Sequence, residues 1–332
     1  MQFFRKLLFP FSLLYGLGTL LRNKLFDWQL LPSVGFDKTV VVIGNLNTGG
    51  TGKTPMTEFL VKNLQKTKKI AVLSRGYGRQ TKGFVLADRH ANAAILGDEP
   101  FQIYQKFPDI VVAVDEDRRH GVRTILSRFP DVDTLLLDDA FQHRYVKPTL
   151  AILLTSYGDL YVDDSLLPTG NLRESGRGAQ RANFIVVTKC PPQLSESEKT
   201  AITQKIQPQP HQQIFFSTIR YADYASNREA EVSLSSFRDK KVCLVTGIAN
   251  PKPMLEYLKS QNIDFEHLNY PDHHRFSEED LTLLNQKNSI LTTEKDFVRF
   301  DKKLQTSCYY LPISVAFLDG DTAFIREISK NM

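Results

Sequence analysis

Residues 40–54 read V-V-V-I-G-N-L-N-T-G-G-T-G-K-T. A β-branched apolar run enters a glycine-rich turn, and T-P-M-T-E-F-L then opens a helix. Glycines 49, 50 and 52 let backbone N–H groups curl around a phosphate with no Cβ in the way. The N-terminus of the following helix adds partial positive charge. Residues Asn47, Thr48, Gly49, Gly50, Thr51, Gly52, Lys53 and Thr54 are thus the expected ATP-binding loop. Lys53 would reach the β- and γ-phosphates, and the Thr54 hydroxyl would ligate Mg²⁺. Pro55 suits a first helical turn, whose N–H groups need no intrahelical partner. The general pattern begins with glycine where this chain has Asn47.

L-L-L-D-D at 135–139 supplies the second half of that chemistry. An apolar strand ending in aspartate can hold Mg²⁺ or its water shell in a phosphate-loop enzyme. Asp138 and Asp139 are the candidates, with one of them expected to hold magnesium and the other free to cap the next turn.

These residues need strands to carry them. Short apolar runs at 38–45, 69–74, 110–114, 134–138, 150–155 and 183–188 alternate with helical patterns near 55–66, 98–107 and 118–129. That alternation predicts a parallel sheet covered on both faces. Residues 206–240 are polar and contain Pro208 and Pro210, so a linker is expected there. Strands at 241–246, 263–268, 289–293 and 308–311, with helices near 251–261 and 277–287, predict a second, smaller α/β domain.

Five further segments follow strands, where ligands bind in an open parallel sheet. They are S-R-G-Y-G-R (74–79), G-D-E-P (97–100), D-E-D-R-R (115–119), F-Q-H-R (141–144) and L-P-T-G-N-L-R-E-S (167–175).

The chain has 332 residues, enough for about two domains. Hydrophobic residues make up 42% and charged residues 24%, which excludes disorder and a polytopic membrane protein. Three dispersed cysteines offer neither a disulfide framework nor a zinc site, as in a reducing cytosol. The net charge is +5, and residues 1–30 alone carry +3 through Arg5, Lys6, Arg22 and Lys24 against Asp27. No basic patch marks a nucleic-acid partner.

Leu7–Leu21 is an uncharged run of 15 residues, too short to span a bilayer. Its basic flanks and the aromatic residues Phe3, Phe4, Tyr15, Phe26 and Trp28 suit a lipid headgroup layer, so monotopic membrane contact is expected. Two other readings are a helix in the protein's own core and a signal peptide, although no A-x-A site follows. Pro10 is expected to break or kink a helix here.

Nearly the whole chain resembles the tetraacyldisaccharide 4′-kinases, the lipid A 4′-kinases of bacterial outer-membrane synthesis. The resemblance rests on G-N-L-N-T-G-G-T-G-K-T, S-R-G-Y-G, G-D-E-P, L-D-D-A-F-Q-H, L-P-T-G-N-L-R-E, P-D-H-H-R-F (271–276) and T-T-E-K-D (292–296). Ala140 stands where that family usually has Gly, and Ser175 where it usually has Pro. The family does not demand glycine at Asn47. The resemblance implies an α/β fold: a P-loop NTPase parallel-sheet core over 31–218, a smaller α/β domain over 219–332 closing the cleft, and a membrane-associated segment over 1–30. It implies Mg²⁺-dependent transfer of the ATP γ-phosphoryl group to the 4′-hydroxyl of an acylated glucosamine disaccharide 1-phosphate, giving lipid IVA. Asp98 would be the base, working with His273 and Lys53. Thr54, Asp138, Asp139 and Glu174 would serve the metal. Arg75, Tyr77, Arg118, His143 and Arg173 would bind the anionic acceptor. The implied location is the cytoplasmic face of the inner membrane, against its lipid surface, with no obligate protein partner evident.

Two rivals are weaker on residues. A partitioning-type membrane ATPase needs a signature lysine before the paired glycines, where Thr48 stands. A GTPase needs N-K-x-D, and T-K-C-P offers Thr188, Lys189 and then Pro191 in place of the aspartate.

Overall fold

Val40 and Val42 pack into one apolar core, Val41 and Ile43 into another. Strand β1 (Thr39–Asn45) is therefore buried on both faces, as a parallel strand between two helical layers must be. The computed structural model describes residues 5–227, 229–300 and 304–332. Helix α1 (Phe9–Asp27) precedes β1. After it come α2 (Lys53–Leu64), β2 (Ile70–Ser74), β3 (Val85–Leu86), the single turn α3 (Ala93–Leu96), α4 (Asp98–Lys106), β4 (Val111–Val114), α5 (Arg118–Arg128) and β5 (Thr134–Leu137). Then follow β6 (Leu150–Ser156), β7 (Phe184–Thr188), α6 (Glu196–Ile206) and β8 (Gln213–Tyr221).

The remaining elements are β9 (Tyr224–Ser226), β10 (Glu231–Ser233), β11 (Val242–Thr246), α7 (Lys252–Ser260), β12 (Phe265–Asn269), α8 (Glu278–Asn285), β13 (Ile290–Thr293), α9 (Glu294–Phe300), β14 (Cys308–Leu311), β15 (Ile313–Phe317) and α10 (Asp321–Lys330). One nine-stranded sheet has the order β15-β8-β7-β6-β1-β5-β2-β4-β3. A six-stranded sheet has the order β10-β9-β14-β13-β11-β12. β1 pairs in parallel with β5 on one side and β6 on the other, Val41 standing opposite Leu136 and Leu150. The chain leaves β1 for β2, beyond β5, while β6 lies on the opposite flank. The crevice at the carboxyl end of β1 is thus the switch point where ligands bind.

The α/β architecture with two sheets matches expectation. The linker expected at 206–240 does not form: β8 joins the first sheet beside β7, and β9 and β10 edge the second. Residues 313–330, expected with the C-terminal domain, return to the first sheet, where β15 pairs antiparallel with β8. Phe324 of α10 stacks on Phe317 with ring centroids 4.0 Å apart and lies in the same core cluster as Phe59 of α2.

Pro10 does not break α1. It sits in the first turn, where no N–H is missed. Nor is α1 a core helix. Its polar positions face the body: Ser12 Oγ donates to Thr169 Oγ1 at 2.7 Å and Tyr15 Oη to the Arg173 carbonyl at 2.7 Å. Asn23 Nδ2 donates to Glu174 Oε2 at 2.8 Å. Leu13, Leu14, Leu17 and Leu21 remain 60, 68, 64 and 55% exposed. No described helix is long and apolar enough to cross a membrane. Phe3 and Phe4 lie outside the described residues.

Candidate active site

The phosphate loop joins β1 to α2 at the switch point. Gly52 caps α2 with φ of 86°, and Gly49 has φ of 149°, conformations that a side chain resists. No side chain caps α2, so its first N–H groups stay available to an anion. A Cβ on Gly49 or Gly52 would meet no atom within 4 Å, which leaves room for phosphate. Lys53 Nζ donates to Asn45 Oδ1 at 3.4 Å, and Asn45 Nδ2 donates to the Gly49 carbonyl at 3.3 Å. Asn47 is buried, and its amide donates to Asp164 Oδ2 at 3.1 Å. Thr48 N donates to the Asn171 carbonyl at 2.7 Å. The residue standing in for the usual glycine therefore ties this loop to the 164–172 segment.

The two aspartates after β5 diverge. Asp138 is fully buried; its Oδ1 accepts from Thr57 Oγ1 at 3.2 Å and its Oδ2 has no partner. Burial first, then the charges of Glu99 and Asp139, push its pKa up to about 7. A buried carboxylate oxygen without a donor is costly unless a cation meets it. Thr54 lies one turn before Thr57 on the same face of α2, so its hydroxyl belongs to the same wall. One hydroxyl and one carboxylate suffice for Mg²⁺, which keeps waters and takes its other ligands from phosphates. Among the described residues no group of three or more His, Cys, Asp or Glu forms an all-protein metal site, and none is needed. The residues present fit magnesium.

Asp139 instead adopts φ of 47° and lies 3.0 Å from Arg173 Nη1 and 3.7 Å from Lys53 Nζ. Glu174, expected beside the metal, is hydrogen-bonded to protein groups. Both of its oxygens are committed, Oε1 to Arg181 at 2.7 Å and Gln142 at 3.1 Å, and Oε2 to Asn23. It anchors α1 to the core.

Asp98 opens α4 after Gly97, whose φ of 91° turns the chain. His273 comes from the loop after β12, and its Nδ1 lies 3.4 Å from Asp98 Oδ2. Lys295 Nζ lies 3.0 Å from His273 Nε2, and Arg299 Nη2 lies 3.2 Å from Nδ1, so both ring nitrogens face a cationic side chain. Arg299 of α9 donates from Nε to Asp98 Oδ2 at 2.7 Å. Burial raises the Asp98 carboxyl, but the His273 and Arg299 hydrogen bonds and charges outweigh it and hold the group below its ordinary value. Tyr77 is 74% exposed and meets the His273 ring edge-on at 5.5 Å. Arg275 Nη2 donates to the Gly78 carbonyl at 3.1 Å. The loops after β2 and β12 therefore touch across the two sheets.

Arg118 is buried at the start of α5, where Nη1 donates to the Asp115 carbonyl at 3.2 Å and Nε has no partner. Burial pulls its pKa down to about 10. His143 Nε2 is also buried and unpartnered. Burial first, then Arg118, pull that imidazole down to about 4, so it is neutral. Arg75 is exposed and adds its charge to Arg118. Arg79, by contrast, is tied to Glu116 at 2.6 Å. Arg299 was not anticipated. The signal for it was local: it stands three residues after Asp296 of T-T-E-K-D and pairs with it at 2.7 Å.

A family model described as tetraacyldisaccharide-1-P 4′-kinase matches residues 4–332. The tetraacyldisaccharide 4′-kinase of Flavobacterium johnsoniae is 50% identical over 340 residues, which cover 100% of this chain and 99% of that protein. The enzyme of the same name from Bacteroides thetaiotaomicron is 42% identical, over 98% of this chain and 94% of its own. A crystal structure of LpxK from Aquifex aeolicus in complex with ATP superposes with a TM-score of 0.80 at 26% identity, covering 99% of each chain. With its phosphate loop at the switch point and its length matched end to end, this chain belongs to the tetraacyldisaccharide 4′-kinase family.

Proposed function

We propose that this protein transfers the γ-phosphoryl group of ATP to the 4′-hydroxyl of an acylated glucosamine disaccharide 1-phosphate, yielding lipid IVA and ADP. The observation that carries this reading is the Asp98–His273 contact, which brings a carboxylate beside the phosphate-binding half together with an imidazole from the other sheet. A nucleotide-hydrolysing switch has no need of such a pair.

The triphosphate lies over the Gly49–Gly52 backbone, with Lys53 at its β- and γ-oxygens. Thr54 and Asp138 would hold magnesium, which when bound neutralises charge on those oxygens. Asp139 keeps Lys53 and Arg173 in register. The acceptor hydroxyl approaches the γ-phosphorus beside Asp98. Its oxygen forms the new P–O bond, the bond to the β-phosphate oxygen breaks, and the hydroxyl proton passes to Asp98. A carboxylate held at low basicity suits a loose transition state in which the proton leaves late. His273 orients that carboxylate. Arg75, Arg118 and Arg173 bring positive charge to an anionic acceptor, and Tyr77 and neutral His143 offer a ring face and a polar nitrogen to a sugar.

The acceptor lives in a lipid layer, and α1 suits that surface. Its polar side is used by the body and its leucines face outward. We place it on the cytoplasmic leaflet of the inner membrane, with ATP supplied from the same side.

The test is incubation of purified protein with γ-labelled ATP, Mg²⁺ and lipid A disaccharide 1-phosphate, followed by separation of lipid products. Label in a bisphosphorylated lipid is expected, and it should vanish in Lys53→Ala. Label released only as inorganic phosphate would favour the ATPase switch and sink the kinase reading.

A further inference from the structure

Helices α4 and α9 meet at both ends. Asp98, Gln102 and Lys106 recur at every fourth position, so they lie along one face of α4. At the start of that face Asp98 accepts from Arg299, near the end of α9. Lys106 stands about 12 Å further along α4. Its Nζ lies 3.1 Å from Glu294, the first residue of α9. The two helices are thus pinned antiparallel, and Phe101 and Val298 share an apolar cluster between the pins. Helix α9 also carries the two cations that meet the His273 ring nitrogens, Lys295 and Arg299.

Lys106 also reaches a third element. The same ammonium donates to Glu58 Oε2 at 2.6 Å, and Gln102 Nε2 donates to Glu58 Oε1 at 2.7 Å, so both oxygens of Glu58 are bonded to α4. Glu58 belongs to α2 and follows Thr57, which bonds the Asp138 carboxylate. Glu58 and Glu294 are both buried. Burial pulls the pKa of Lys106 down, but the charges of Glu58 and Glu294 outweigh it and hold the ammonium above its ordinary value. Burial first, then the charge of Glu58, push the Glu294 carboxyl up to about 7. A single ammonium thus joins a carboxylate of the phosphate-loop helix to one of the second sheet's helix. A buried ion pair is often no more stabilising than an apolar pair of the same volume, and its best-attested use is to fix one register between elements.

We propose that Lys106 is a positioning residue for the phosphoryl transfer: by holding Glu294 it sets α9 along α4, so that Arg299 and His273 meet Asp98. This rests on the reading of Asp98 and His273 as the reacting pair of a kinase. Glu294 of T-T-E-K-D then has a use beside those of Lys295, which faces His273, and Asp296, which holds Arg299.

The test uses the full-length protein with Mg·ATP and lipid A disaccharide 1-phosphate. Lys106→Met removes the cation. Glu294→Gln keeps the shape and the Lys106–Glu58 contact, so it answers the question even where Lys106→Met folds poorly. Turnover, kcat, should fall by roughly 10–100-fold in Lys106→Met, the effect of displacing reacting groups from afar. It should fall by roughly 3–10-fold in Glu294→Gln, where a charged contact becomes a neutral one. Lys106→Arg should recover most of the rate. Equilibrium ATP binding to Glu294→Gln should stay within about threefold of wild type, because alignment acts on kcat. A second readout needs no turnover: His273 is modified with diethyl pyrocarbonate and followed by mass spectrometry, and the ring should react faster in both variants. Faster modification with slower turnover and intact ATP binding supports the assignment. Unchanged kcat in both variants, His273 reacting as in wild type, or a loss of ATP affinity in Glu294→Gln as large as the loss of kcat overturns it. Wild-type protein that phosphorylates no lipid overturns the kinase reading instead. The alignment of α9 by Lys106 is then supported by faster His273 modification in the variants and overturned by an unchanged rate.

Discussion

Arg299 Nε donates to Asp98 Oδ2 at 2.7 Å, so a helix associated with the second sheet holds the first residue of α4 in the first. The same guanidinium reaches His273 Nδ1 at 3.2 Å and the Gly247 carbonyl at 3.0 Å. One cation therefore fixes the carboxylate, the imidazole and the loop after β11 at once.

Arg299→Met should lower kcat by roughly 10–100-fold near neutral pH, the range expected for a lost charge-assisted hydrogen bond. The acid limb of the pH–rate profile should also move to higher pH. As the proposed base, Asp98 works in its carboxylate form, and Arg299 helps hold its pKa below the ordinary value, so losing that charge raises the pH at which the base is lost as pH falls. A depressed carboxyl also stabilises the fold above its unfolded pKa and loses that share as pH falls through the folded value. A limb unmoved in the variant would show that Arg299 does not tune Asp98.

Asp98 and His273 should behave as one unit. Asp98→Ala should be the worse single change, because it removes the proton acceptor, and His273→Ala should keep some rate. A double-mutant cycle on kcat at saturating ATP and lipid should be far from additive. Strict additivity, or a normal rate in Asp98→Ala, would mean that the pair is not the base.

Asp138→Asn should stabilise the nucleotide-free protein at pH 8 while removing its response to magnesium. The folded carboxyl titrates at about 7, above its ordinary 3.8, so stability declines as pH rises between those values. Asparagine carries no charge to bury. A rise in melting temperature of on the order of a few degrees is expected, together with loss of the Mg·ATP thermal shift. A lower melting temperature at pH 8 with the shift intact would refute this role.

The outward leucines of α1 should carry membrane binding. Leu14→Asp with Leu17→Asp should cut sedimentation with anionic liposomes by on the order of tenfold or more, because buried methylenes are exchanged for charge. The melting temperature should hold, since neither side chain is buried. Arg5 and Arg22 are poorer probes, being bonded to the Pro168 and Gln142 carbonyls at 3.1 Å each. Wild-type sedimentation by the double variant would place the membrane contact elsewhere.

The phosphate loop, the Asp-Asp pair and the start of α4 were legible because each is local. A strand, a turn and a helix start are spelled out in consecutive residues, and glycine spacing reports backbone conformation directly. The alternation that announced two sheets is equally local, since period and turn chemistry need no partner. Strand β8 was hidden because Ser217, Thr218 and Arg220 interrupt its apolar run and two prolines precede it. Only pairing with β7 and β15 makes it a strand.

What tertiary structure alone decided is how each charge is spent. A glutamate in L-P-T-G-N-L-R-E carries no sign of Asn23, and only the docking of α1 brings that amide to Glu174 Oε2. Asp138 and Asp139 are neighbours in sequence, yet the turn at Asp139 sends one carboxylate into a buried wall and the other between two cations. Arg299 lies 201 residues from Asp98. Sequence spacing carries no sign of a contact that exists only where two sheets meet, because side-chain partnership is set by packing across elements and not by order along the chain.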